Sequence, residues 1–147
     1  MIDLIQRFTD KRIVDLNKVI KIGHDFYLVD DELRSVCKSI KKRASFIGNY
    51  LGRKGKPGLF LLELLARHSE NKVWLNEKGA WLFICGRDIF GESITKKFGS
   101  FNKGDFVLVM DRYDECLGFG RVVDTFSTKK VVVKNEFDIG DFLRRER

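Results

Sequence analysis

The chain has 147 residues, 44 % of them hydrophobic and 33 % charged, a balance that supports one substantial core or two small ones and excludes a disordered chain. Its 28 Lys and Arg against 21 Asp and Glu give a formal charge of +7 and an isoelectric point near 9.4, which favours a polyanionic partner. No apolar run approaches the roughly 20 residues of a membrane helix, and Met1 to Ile5 carries an early acid without a basic-then-apolar leader pattern, so neither membrane anchoring nor secretion is expected.

Residues Ile2 to Phe8 predict a short helix with Ile2, Ile5 and Phe8 inward, extended around Ile13 to Leu16. Val19 to Ile22 and Phe26 to Val29 read as two strands, and Gly23-His24-Asp25 between them supplies hairpin chemistry. Asp30-Asp31-Glu32 opens a helix, because acids suit the first turn. Its stripe is Leu33, Val36, Cys37 and Ile40, with Arg34, Lys38, Lys41 and Lys42 on the other face. Phe46 to Leu51 reads as a strand, and Gly52 to Gly58 as a basic, mobile glycine-rich loop. Leu59 to His68 contains a strand end and then a helix.

Beyond about Ser69 to Asn71 the pattern changes. Strand-like runs fall at Lys72 to Leu75, Trp81 to Ile84, Phe106 to Val109, Leu117 to Val123 and Val131 to Val133, separated by turn signals at Glu77 to Gly79, Cys85 to Arg87, Lys103 to Asp105 and Asp114-Glu115. Short strands at close spacing indicate a small barrel or sandwich. The predicted fold class is therefore α+β. A small α/β N-terminal domain, an antiparallel sheet with helices over residues 1–69, packs directly on a β-barrel over residues 70–147.

Catalytic and metal signatures are missing from the sequence. Cys37, Cys85, Cys116, His24 and His68 form no close pair of the kind zinc sites use. The three cysteines are widely separated and offer no disulfide framework, in keeping with a reducing compartment. The loop around Gly52 lacks both the glycine spacing and the Ser or Thr of a phosphate-binding loop. Gly118-Phe119-Gly120 lacks the third glycine and the following helix of a dinucleotide fingerprint. No cofactor is expected.

The charge is unevenly placed. Between Leu33 and Leu62 there is no acid, yet there are eight bases: Arg34, Lys38, Lys41, Lys42, Arg43, Arg53, Lys54 and Lys56. A second basic group comprises Lys129, Lys130 and Lys134, followed by Arg144, Arg145 and Arg147.

The second part resembles a PUA domain, the small RNA-binding barrel named after pseudouridine synthases and archaeosine transglycosylases. The resemblance is carried in order by Lys72-Val73-Trp74-Leu75, Lys78-Gly79-Ala80 with a helix-like turn, Leu82 to Gly86 as strand and turn, Lys103 to Val109, Leu117-Gly118-Phe119-Gly120, Val131 to Lys134, and Asp138 to Arg144. Together with Phe26 to Val29, the helix that follows, Phe46 to Arg53, and Leu64-Leu65-Ala66, these stretches make nearly the whole chain similar to the Nip-seven family of archaeal and eukaryotic large-ribosomal-subunit biogenesis factors. The part before Phe26 is shorter than in eukaryotic members and resembles a compact archaeal member.

The resemblance implies a non-catalytic RNA-binding factor that assists large-subunit biogenesis and precursor ribosomal RNA processing. The alternatives are an accessory protein of RNA modification and a protein-interaction adaptor. Implied partners are ribosomal RNA precursor, including single-stranded uridine-rich RNA, and other assembly or RNA-processing factors, with no membrane. A monomer is expected, located in the cytoplasm, or in the nucleolus of a eukaryote. The resemblance places RNA-binding bases on the late strands, here Lys129, Lys130 and Lys134, with Arg121 on the neighbouring strand and Arg144 in the closing stretch. Strict alternation would put Lys130, Val132 and Lys134 on one face. Phe126 and Phe137 are either stacking residues or barrel core. Arg34, Lys38, Lys41, Lys42, Arg53 and Lys54 form a possible second basic surface, for RNA or for protein.

Overall fold

The structure, a computed structural model, describes residues 1–39, 46–125, 129–141 and 144. It is of α+β class: a four-stranded antiparallel sheet with helices precedes a curled six-stranded sheet that forms a half-barrel.

The first helix, α1 (Ile2–Gln6), buries Leu4 and Ile5 and leads to buried Phe8. Ile2 was expected inward, but Leu4 takes that place and Ile2 lies on the flank at 44 % exposure. The helix does not continue at Ile13 to Leu16. Residues Leu16–Lys18 form a single 3-10 turn, whose start is held by the Asp15 carboxylate accepting from the Asn17 amide. Strands β1 (Val19–Ile22) and β2 (Asp25–Leu28) form the expected hairpin, with Gly23 supplying a positive φ in its two-residue turn.

Helix α2 (Asp31–Ser39) is capped by the Asp30 carboxylate, which accepts from the Leu33 amide at 2.7 Å. Leu33 and Cys37 pack on buried Tyr27, Val29 and Ile47. Val36, expected in the same stripe, is half exposed, since the packing face runs along Leu33 and Cys37, four apart, and Ile40 lies outside the described residues. The next strand starts later than expected, at β3 (Asn49–Arg53), and leaves Phe46 81 % exposed. The basic loop is a tight hairpin: Arg53 pairs with Lys56 of β4 (Lys56–Pro57) across Lys54-Gly55, and Gly55 takes the positive φ. Leu59 to His68 is entirely helical as α3 (Leu59–His68), with Leu61, Leu62 and Leu65 buried on one face.

In the second part β5 (Lys72–Leu75) leads into α4 (Glu77–Ile84). The apolar run Trp81 to Ile84 was expected as a strand. It is helical because the Asn76 side chain caps the preceding turn, accepting from the Gly79 amide, and because Gly79 and Phe83, four apart, face inward. Strands β6 (Ile89–Phe90) and β7 (Ile94–Phe98) went unpredicted. The first is two residues long, and the second is an edge strand with exposed polar positions. The long strands are β8 (Phe106–Met110), β9 (Cys116–Val122) and β10 (Val131–Asp138). The sheet order is β6-β10-β9-β8-β5-β7, with β5 and β8 parallel.

The six-stranded sheet is buried on both faces along β8. Val107 and Val109 turn into the barrel with Val73, Phe83, Val122 and Val133. Leu108 and Met110 turn outward, into a cluster with Leu4, Ile5 and Phe8 of the α1 segment and Leu61, Leu62 and Leu65 of α3. Phe8 meets Phe119 edge-on at 5.3 Å, and Phe119 stacks on Phe137 at 5.7 Å, so Phe137 is part of this packing. The first part of the chain thus roofs the outer face of the sheet, and the core runs across the 69/70 division.

Candidate nucleic-acid interface

The roof does not reach the end of the sheet. Phe106 of β8 stands opposite Arg121 of β9, which stands opposite Lys134 of β10. Residue periodicity puts Arg121 on the same outer face as Phe119, two residues earlier. Where the aromatic packing stops, the face becomes basic. Arg7, just after α1, lays its guanidinium 4.8 Å from the centre of the Phe106 ring. A row of cations therefore crosses three adjacent strands: Arg7 over Phe106, then Arg121, then Lys134.

Lys134 is exposed, and so are Lys129 and Lys130 at the foot of β10. The expected single face for Lys130, Val132 and Lys134 does not form. A register shift between Val131 and Val133 turns Val132 and Val133 both inward, at 2 % and 0 % exposure, and breaks the alternation. Arg121 is paired with Glu136, Nη2 to Oε1 at 3.1 Å, so an anionic ligand at the guanidinium would have to compete with that carboxylate. Such an exposed pair is weak, so exchange costs little.

Arg144 is engaged elsewhere. Its two terminal nitrogens donate to the two carboxylate oxygens of Asp138, at 2.9 and 2.8 Å, and Nη1 also donates to the Ile84 carbonyl. Asp138 is 2 % exposed, and Asn135 completes its coordination by donating at 3.1 Å. The fork raises the Arg144 pKa above its ordinary value, chiefly through the hydrogen bond to Asp138. Gly140 makes this clamp possible, because a Cβ there would lie 1.9 Å from the Ile84 carbonyl.

The expected second basic surface, among the described residues, is divided between two places. The Arg34 guanidinium donates to the Asn17 carbonyl, which draws it to the β1 side of the four-stranded sheet, and Lys38 is exposed further along α2. Arg53 and exposed Lys54 sit on the β3–β4 side, with Arg53 Nε 3.9 Å from Asp25. Lys41, Lys42 and Phe126 lie outside the described residues.

Arg7 is the member of the interface that sequence reasoning missed. It lies far from the other bases in the chain, and only the packing of Phe8 against Phe106 and Phe119 carries it to the sheet. Among the described residues no group of three or more His, Cys, Asp or Glu is placed to hold a metal ion, and no helix is long and apolar enough to cross a membrane.

A curled β-sheet of this order, roofed on its outer face and ending in a basic row, defines a PUA-type protein with an α/β domain in front. The chain belongs to the UPF0113 family, whose PUA-domain model matches residues 71–147. A UPF0113 protein of Archaeoglobus fulgidus is 36 % identical over 111 residues, covering 69 % of this chain and 63 % of that relative. The chain thus spans less than two thirds of that relative's length. The 60S ribosome subunit biogenesis protein NIP7 of Saccharomyces cerevisiae is 26 % identical over 145 residues, covering 90 % of this chain and 80 % of the yeast protein. Among solved structures, a conserved PUA domain protein from Thermoplasma acidophilum superposes with a TM-score of 0.57 at 17 % identity, covering 98 % of this chain and 89 % of that one. At that identity the match speaks for the fold alone.

Proposed function

We propose that this protein is a non-catalytic RNA-binding factor of ribosome biogenesis that acts on ribosomal RNA precursor during large-subunit assembly. The observation that carries the reading is the basic row on the outer end of the sheet: Arg7, Arg121 and Lys134, with Lys129 and Lys130 at the foot of the same strand. The similarity to the yeast biogenesis protein supports the setting. Lysine and arginine contacts to phosphates set affinity and register and carry little base identity. The Arg7 guanidinium lies over Phe106, whose strand partner is Arg121, so a phosphate bound at Arg121 has a second cation beside it. The protein works as a monomer in the cytoplasm in this reading.

The test is binding of a uridine-rich single strand, a precursor ribosomal RNA fragment and a scrambled control across a salt series. Replacing Lys129, Lys130 and Lys134 together by alanine removes three phosphate contacts and lowers the slope of log affinity against log salt by about 2 for a single strand. Arg7→Ala lowers it by about 0.7 more. A folded triple variant that keeps the wild-type slope rejects the assignment.

A further inference from the structure

Between the β3–β4 hairpin and the barrel runs an open groove of about 650 Å³. Its lining is mainly apolar, with Leu59, Phe60, Ile84, Phe137 and Ile139, and Arg53, Lys56 and Asp141 add charge along one edge. Leu59 is the first residue of α3 and is 65 % exposed, pointing away from the core that Leu61, Leu62 and Leu65 fill. Ile84 also lines a neighbouring depression beside Trp81, itself 64 % exposed on α4. Ile84 lines both depressions, so exposed apolar side chains stand on either side of it, Leu59 in one and Trp81 in the other. Clustered exposed apolar surface of this kind marks an interaction site.

The groove's border carries the opposite chemistry. Arg53, Lys54 and Lys56 come from the stretch between Leu33 and Leu62 that contains no acid. Arg53 lies 3.9 Å from Asp25 and hydrogen-bonds the Tyr50 hydroxyl, with its side chain still more than half exposed, and Lys54 is exposed in the hairpin turn, while Lys56 is bound to Asp141 at 2.8 Å. A nucleobase needs donors and acceptors along its edge, and the floor offers almost none, whereas a leucine or phenylalanine side chain needs only carbon. None of Lys129, Lys130, Lys134 or Arg121 lines the groove.

We propose that this groove docks a protein segment whose bulky apolar anchor seats between Leu59 and Ile84 and whose flanking Asp or Glu residues meet Arg53 and Lys54. The site is separate from the RNA face and does not depend on it.

The probe is a random-peptide phage library panned on the full chain, with the most enriched peptide synthesised and measured by fluorescence anisotropy. Enriched sequences should carry an apolar anchor flanked by acids. The peptide should bind Leu59→Asp at least tenfold more weakly and Lys54→Glu several-fold more weakly, with both variants melting like wild type. Leu59 is exposed at a helix start, where an acid is well tolerated. Leu59→Asp should keep wild-type RNA binding, and the triple-lysine variant should keep peptide binding, so the two sites fail independently. The proposal is overturned if no acid-flanked apolar peptide is enriched, or if both groove variants bind as wild type does. Displacement of the peptide by RNA would make the groove part of the RNA path and also overturn it. So would self-association of the wild type abolished by Leu59→Asp, which would give the groove to a second copy of the chain.

Discussion

Replacing Arg144 by alanine should destabilise the fold without touching the proposed RNA interface. Both oxygens of the buried Asp138 carboxylate accept from Arg144, and among the described residues the other donor to it is Asn135. Removing one partner of a buried ion pair costs about 3–5 kcal/mol, because the remaining charge stays out of water. The Arg144 side chain is 40 % exposed, so water enters once it is removed, and the expected loss is nearer 2–3 kcal/mol. For a chain of this length that lowers the melting temperature by about 5–10 °C. Asp138→Asn keeps an acceptor for the guanidinium and should cost only about 1–2 kcal/mol. Adding Arg144→Ala to that variant should then cost at least about 1 kcal/mol less than it does in the wild type. Urea denaturation followed by tryptophan fluorescence gives all three values, and the salt series gives the RNA slope. An unchanged unfolding midpoint, or a flattened salt slope in a fully stable Arg144→Ala variant, would refute the structural role.

Leu65→Ala, at a position with 0 % exposure in the core shared by α3 and the sheet, should cost about 2–5 kcal/mol and shift one cooperative transition of the whole chain. Two separate calorimetric transitions, with the barrel's unmoved, would contradict a shared core. Burial pushes the Cys116 thiol from its ordinary 9.0 up to about 11. The unfolded chain therefore releases this proton first, so the stability present below pH 9 is lost as pH rises towards 11, by roughly 2–3 kcal/mol. A Cys116→Ala variant should show a correspondingly flatter alkaline limb, and iodoacetamide at pH 8 should label exposed Cys85 well before Cys116. Equal labelling rates and parallel pH profiles would contradict the burial.

The β1–β2 hairpin and the start of α2 were legible because their causes are local. Gly23 carries the positive φ of a two-residue turn, and Asp30 caps the helix it precedes. Trp81 to Ile84 misled for the opposite reason: four apolar residues in a row suit a strand or a buried helix equally, and the deciding group was the Asn76 cap. The short β6 and polar β7 carry no period of their own and exist because β10 and β5 offer them open edges.

The sequence by itself determined the α+β class, the unequal spread of charge and the lysines of β10, since composition and short-range pattern are properties of the chain. Tertiary structure alone decided which of those charges act together. It brought Arg7 to Phe106, bound Arg144 into the barrel, and turned Val132 inward through a bulge. Burial of the aromatic face of the sheet pulled the α1 segment across more than a hundred residues of sequence, and no local pattern encodes a partner at that separation.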